Sequence, residues 1–176
     1  MDHSLPLSTD SLFRPLTLNG LALKNRIVMA PMTSKLSPNG VPSAAVADYY
    51  RRRAEGGVGL IITEGTTINR QAASNDSGIP NFHDPESLAG WANVVSAVHA
   101  AGGRIAPQLW HQGLVRQTGT GPYPNAPTEG PSATVPGSKA MTDTDIAETI
   151  DAFATAAVTA KEIGFDAVEL HGAHGY

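Results

Sequence analysis

His171, His174 and Tyr176 fall within one six-residue stretch, HGAHGY. On a regular strand two imidazoles three positions apart would face opposite sides, but Gly172 and Gly175 predict a chain that is already turning. Both rings can then converge on one ligand. Neutral imidazole N–H groups can give two hydrogen bonds to one carbonyl oxygen and draw electron density from it. Tyr176 adds a phenol, which keeps its proton at neutral pH and can serve as a general acid. The H-x-x-H spacing alone leaves two further readings open. The rings suit interior positions where the protein satisfies them, with Tyr176 as packing. A metal site would need a third ligand, for which Glu64 and Glu169 are the nearest candidates.

Other polar residues stand where a run of apolar residues ends. Gln108 lies in the otherwise apolar RIAPQLW, and a buried amide must find partners for its donors and its acceptor. A planar heterocycle with adjacent C=O and N–H groups matches it; so does a backbone partner. Thr33 follows Pro31 and Met32 and offers either a site hydroxyl or a turn cap. Gly65 lets a ligand approach the backbone, or merely permits a turn. Trp110 reads as wall or core. Glu169 alternates onto the same strand face as His171, which predicts an interior ion pair with Arg26 or Arg104. No nucleophile elbow of the G-x-S-x-G type occurs.

The elements that must position these residues follow a repeated order of strand, loop and helix. LTLNGLALK places Asn19-Gly20 between two short segments, a hairpin signal. Strands are predicted over 26–32, 58–65, 104–110 and 166–172. A first helix runs from Ser43 as N-cap to Glu55, stopped by Gly56-Gly57. The second starts at Asp84-Pro85 and ends at Gly102-Gly103, with Leu88, Trp91, Val95 and Val98 as its apolar stripe. The third opens with Thr142 and Asp145 in capping-box spacing, and Ile146, Ile150, Phe153, Ala157 and Ala160 mark its expected buried face.

Continuous apolar strands alternating with helices mean parallel strands buried on both faces. A doubly wound sheet would need a glycine-rich phosphate turn, and no G-x-G-x-x-G is present. A (β/α)8 TIM barrel collects its chemistry at the C-terminal ends of its strands. Thr33, Glu64-Gly65, Gln108, Trp110, His171 and His174 all fall there, so the α/β barrel is the expected class. A full barrel takes about 250 residues. These 176 residues read as the N-terminal half of one such domain, with about four strands and the hairpin. The Gly/Pro-rich stretch 111–141 reads as a long βα loop, an ordered lid or wall over the active face.

Composition narrows the function classes. Hydrophobic residues make up 41% and charged residues 16%, with a net charge of −4, which argues against nucleic acid as the main partner. The run Arg51-Arg52-Arg53 sits near a helix end, where cations suit the dipole. With no cysteine, disulfides, thiolate metal sites and a cysteine nucleophile are excluded. The opening MDHSLPLSTD lacks a signal-peptide pattern, and no apolar run approaches membrane-spanning length, so a soluble cytoplasmic protein without a membrane partner is expected.

Taken together, LFRPLTLNGLALKNRIVMAPMT, YYRRRAEGGVGLIITEGT, QLWHQG and GFDAVELHGAHGY make the chain similar to the old yellow enzyme family of flavin-dependent oxidoreductases. The resemblance covers nearly the whole chain, in order. It implies a TIM barrel that holds FMN, uses NADPH or NADH as reductant, and reduces the activated C=C bond of enones or nitro compounds. On the same basis Pro31, Met32, Thr33, Gly65 and Gln108 would contact the flavin, with His171 beside it. His171, His174 and Trp110 would bind the substrate, and Tyr176 would protonate it. No metal is implied. Where the family often has arginine after QLWHQG, this chain has Leu114, with Arg116 close by. The family's phosphate contacts come from a second half-barrel, so association is expected with a missing C-terminal half, whether another chain, a second copy or a longer parent. Two alternatives stand beside this reading: a self-associating half-barrel that binds flavin weakly without turnover, and a metal-dependent TIM-barrel hydrolase.

Overall fold

The computed structural model describes residues 8–176. The first residues of the opening segment, read above for targeting signals, lie outside the described residues. Strands β1 (Leu16–Leu18) and β2 (Leu21–Leu23) pair antiparallel across Asn19-Gly20. Both turn residues have positive φ, +48° and +88°, the type I′ geometry that follows the twist of the flanking strands.

The main body then unrolls in chain order. It comprises β3 (Val28–Met29), α1 (Ala44–Glu55), β4 (Leu60–Thr67), α2 (Pro85–Ala100) and β5 (Ile105–Trp110). The short strands β6 (Glu129–Gly130) and β7 (Lys139–Ala140) follow, then α3 (Asp143–Ile163) and β8 (Glu169–Leu170). Strands β3, β4, β5 and β8 form one parallel sheet in that spatial order. Each strand lies beside the next in sequence with a helix between, the winding of half a (β/α)8 barrel. Strands β3 and β8 are shorter than expected, because regular pairing covers two residues of each. Among the described residues, no helix is long and apolar enough to cross a membrane.

The core lies between sheet and helices. Val46, Tyr50 and Ala54 from α1 and Trp91, Val94, Val95 and Val98 from α2 pack on Ile61, Ile105 and Leu109. Phe82, Trp91 and Phe165 form an aromatic knot with ring centroids 5.8–6.2 Å apart. The start of α2 differs in detail from its sequence signature. Asp84 is the N-cap residue but its side chain bonds no helix amide. Asn81 organises the turn instead: its Oδ1 accepts from the His83 and Asp84 N–H groups and its Nδ2 donates to Asp84. Its carbonyl accepts from Ser87 and Trp91.

Helix α3 carries the expected capping box between Thr142 and Asp145 and ends at Gly164 with φ +101°. Its buried face agrees with the expected one at Ala160, with Phe153 and Ala157 packed against the core, and departs from it in the first turns. Ala156 and Ala160 are buried, whereas Ile146 is 37% and Ile150 61% exposed. The alanines let the helix lie close against its neighbours, and the isoleucines line an apolar groove of about 430 Å³ with Met141, Phe153 and Leu170. That groove opens beside β8, the outer strand.

The 111–141 connection is fastened onto this body. Arg70, just past β4, reaches Glu129 in the loop and Asp145 and Glu148 at the start of α3, the last two at 3.1 and 3.3 Å. Arg116 is buried and grips only main-chain carbonyls: Ser74 at 3.0 Å, Ala126 at 2.8 Å and Tyr123 at 2.7 Å, with Thr120 at 3.5 Å. Arg116→Ala leaves the Ser74 and Ala126 carbonyls without this donor and Tyr123 with only the Ala126 N–H, a cost of about 2 kcal/mol that falls on local opening. Limited proteolysis should then cut within 117–126 some thirtyfold faster (~2 kcal/mol); an unchanged rate would refute this anchoring.

Candidate active site

The site is assembled at the C-terminal ends of four strands. Beyond β3 the chain passes through Pro31, Met32 and Thr33, and a buried clamp fixes this turn from behind. The Glu64 carboxylate, fully buried on β4, accepts from the Ser34 N–H at 3.0 Å and from the Ser34 hydroxyl at 2.5 Å. The Glu64 N–H donates to the Tyr50 hydroxyl at 2.7 Å. Burial pushes the Glu64 carboxyl above its ordinary range, with the Ser34 bonds opposing. A carboxyl whose pKa is raised by folding stabilises the fold below its unfolded pKa and loses that contribution as pH rises through the folded value. Glu64→Gln keeps an acceptor for the Ser34 N–H and removes the charge. The wild-type chain should therefore lose more stability than the variant across that rise in denaturant melts; parallel profiles would exclude a buried charge at this position.

Strand β4 continues into Gly65, where a side chain has no room: an added Cβ would meet Trp110 Cε3 at 2.6 Å. Gln108 and Trp110, two apart on β5, reach the same cavity. The Gln108 Nε2 donates to Glu169 Oε1 at 2.7 Å, directly across the β5–β8 register. Glu169 thus forms no ion pair with Arg26 or Arg104. Arg104 instead pairs with Asp166 at 3.5 Å, near the opposite end of the strands. An amide neighbour was available to Glu169 in register, and an arginine was not.

After β8 the His171 N–H still donates to the Leu109 carbonyl, at 3.0 Å, and then the chain turns. His174 has φ +58° and Gly175 +86°, and the Tyr176 N–H closes the turn on the Ala173 carbonyl at 3.1 Å. Strand alternation no longer applies, so the rings fold together. His171 and His174 lie 5.4 Å apart between centroids, His171 and Tyr176 4.8 Å, and Trp110 and Tyr176 4.9 Å. The His171 Nδ1 accepts from the Ala173 N–H at 3.4 Å, which leaves the proton of the neutral ring on Nε2. Burial first, and then the neighbouring His174, hold His171 below the usual histidine range, so the ring is neutral at neutral pH.

Pro31, Met32, Thr33, Gly65, Gln108, Trp110, His171, His174 and Tyr176 line one cavity of about 210 Å³. All nine residues named from sequence as site candidates meet there. Among the described residues no three His, Cys, Asp or Glu gather as a metal cage. Glu64 and Glu169, the two candidate third ligands, are committed to Ser34 and Gln108. Sequence reasoning missed Ser34 and the pairing role of Glu169, because both depend on cross-strand register. It also missed His111, buried beside the cavity. There Nδ1 accepts from the Gly113 N–H at 3.0 Å, Nε2 lies 3.6 Å from Glu129, and burial lowers the ring's pKa. Its place one residue after Trp110 was the available signal.

Residues 11–176 match the model of the NADH:flavin oxidoreductase / NADH oxidase family. The chain belongs to this family, that of the old yellow enzymes. Among its relatives, 12-oxophytodienoate reductase 7 of Oryza sativa subsp. japonica is 35% identical over 94% of this chain and 45% of its own length. NADPH dehydrogenase of Halalkalibacterium halodurans is 37% identical over 94% of this chain and 48% of its own. Among solved structures, morphinone reductase in complex with tetrahydroNAD superposes with a TM-score of 0.86 at 36% identity, covering 94% of this chain and 50% of that one. The chain thus spans about half the length of these old yellow enzyme relatives, and its parallel sheet corresponds to half of the barrel.

Proposed function

We propose that this chain carries the flavin-facing and substrate-facing residues of an FMN-dependent oxidoreductase that uses NAD(P)H to reduce the activated C=C bond of α,β-unsaturated carbonyl or nitro compounds. The observation that carries the reading is the convergence of His171, His174 and Tyr176 on the same cavity as Gln108, Gly65 and Thr33. The names of the relatives, a 12-oxophytodienoate reductase and an NADPH dehydrogenase, point the same way.

The donor set fits the flavin ring. Gln108 offers an amide to a heterocycle edge, Thr33 a hydroxyl, and Gly65 a backbone that no side chain shields. Pro31 and Met32 supply an apolar surface. The bound flavin supplies hydride transfer from the nicotinamide to the alkene. The protein does the rest. His171 and His174 hold the carbonyl or nitro oxygen of the substrate, the His171 Nε2–H as a neutral donor. Hydrogen bonds of this kind strengthen as enolate charge develops, so they favour the transition state over the bound ground state. Tyr176, in edge contact with His171 and Trp110, delivers its proton to the α-carbon. Trp110 closes the side of the cavity toward the core.

The remaining flavin contacts come from a second half-barrel, in a soluble cytoplasmic assembly. Strands β3 and β8 stand at the sheet edges with Val28 and Leu170 exposed, 46% and 62%, which also favours a second reading. In that reading the chain self-associates through these edges and binds flavin weakly without turnover. The visible spectrum decides between them. A yellow protein whose flavin absorbance bleaches anaerobically with NADPH and returns with cyclohexenone supports the enzyme. Bleaching without return on cyclohexenone supports the second reading, and colourless protein after incubation with FMN refutes both.

A further inference from the structure

We infer that Glu169 is a positioning residue that sets the polarity of the Gln108 amide, so that the cavity receives the imide N–H of a flavin-type ring. The inference rests on the flavin reading above and adds a residue to it. A primary amide can sit in two orientations related by a half-turn, and its surroundings decide which. A carboxylate has no hydrogen to give and can only accept. Glu169 lies opposite Gln108 in the β5–β8 register, and the 2.7 Å contact between its Oε1 and the amide is therefore satisfied only with Nε2 on the Glu169 side.

The backbone removes the remaining freedom. The Gln108 N–H donates to Thr63 Oγ1 at 3.1 Å, and the residue is 6% exposed, so it has little room to move away. Oε1 is thereby turned away from Glu169 and accepts no hydrogen bond within the described residues. A ring bound in this cavity meets an acceptor at that point. The imide edge of a flavin carries one N–H, at N3, flanked by two carbonyls. An amide fixed with its oxygen outward is complementary to the N–H, and one turned the other way would set N–H against N–H.

Glu169→Gln is the informative change, because glutamine is close in shape but can donate as well as accept and so permits both orientations of Gln108. The probe is FMN labelled with ¹⁵N, added to the full chain. In the wild type, the N3–H proton signal should lie downfield of free FMN and exchange slowly with water. In Glu169→Gln it should move back toward the free position, with FMN affinity by fluorescence quenching lowered about tenfold, the scale of one hydrogen bond to a buried acceptor. An N3–H signal unchanged by the substitution overturns the role of Glu169, whatever happens to affinity, and leaves the flavin reading intact. A wild-type chain that binds no FMN overturns the flavin reading and this assignment with it. Should the variant not fold, the wild-type apoprotein decides through its Gln108 side-chain amide. One of the two protons displaced downfield and protected from exchange supports the pair; two ordinary, freely exchanging protons overturn it.

Discussion

Tyr176→Phe should slow reoxidation of the reduced flavin by an enone about 10²–10⁴-fold, the range contributed by a well-placed general acid. The ring, and with it the packing against Trp110 and His171 at 4.9 and 4.8 Å between centroids, is retained, so binding should change little. Reduction of the flavin by NADPH does not require a proton from this phenol and should proceed at the wild-type rate. Anaerobic stopped-flow spectroscopy separates the two half-reactions. A variant that reoxidises as fast as the wild type would remove Tyr176 from the chemistry and return it to a packing role.

The second large effect concerns the paired imidazoles. His171→Ala deletes the neutral Nε2–H donor, and loss of one such preorganised donor typically costs about 10²–10³ in rate. It also opens space beside Trp110, so substrate affinity should fall together with turnover. His174→Ala removes the proposed second donor, and if both rings hold the same oxygen the double variant should lose less than the product of the single effects, since the rings also meet edge to face. Steady-state rates with a series of enones measure this directly. Full additivity would mean that the two rings act on different atoms. Because His171 titrates below the usual histidine range, its neutral form persists to lower pH than that of an exposed histidine. The inflection in rate that His171→Ala abolishes should therefore lie below the ordinary histidine range, and one lying within or above that range would overturn the assignment.

Local chemistry was the legible part of the fold. Asn19-Gly20 specified its hairpin because two successive residues with positive φ have few other uses. Thr142 and Asp145 marked the start of α3 because both halves of a capping box lie within four residues of sequence. The site candidates were legible because parallel strands end where polar residues interrupt apolar runs. What the sequence concealed depends on register and rotation. Glu169 could be placed on the same face as His171, but nothing local says which residue of β5 lies opposite; it proved to be Gln108. Glu64 stood as a candidate third metal ligand, and only the packing of β4 against the turn beyond β3 ties it to Ser34. On α3 the expected face holds at Ala160, Ala157 and Phe153 but not at Ile146 and Ile150, which line the groove beside β8 because apolar residues occur around much of the helix circumference.

Arg116 holds the 117–126 segment through main-chain carbonyls alone, those of Ser74, Tyr123 and Ala126. Such a grip is indifferent to the side chains that those residues carry. The path of 117–126 can therefore stay constant while an exposed residue such as Tyr123 is exchanged, so the loop's outer surface can change without redesigning the scaffold.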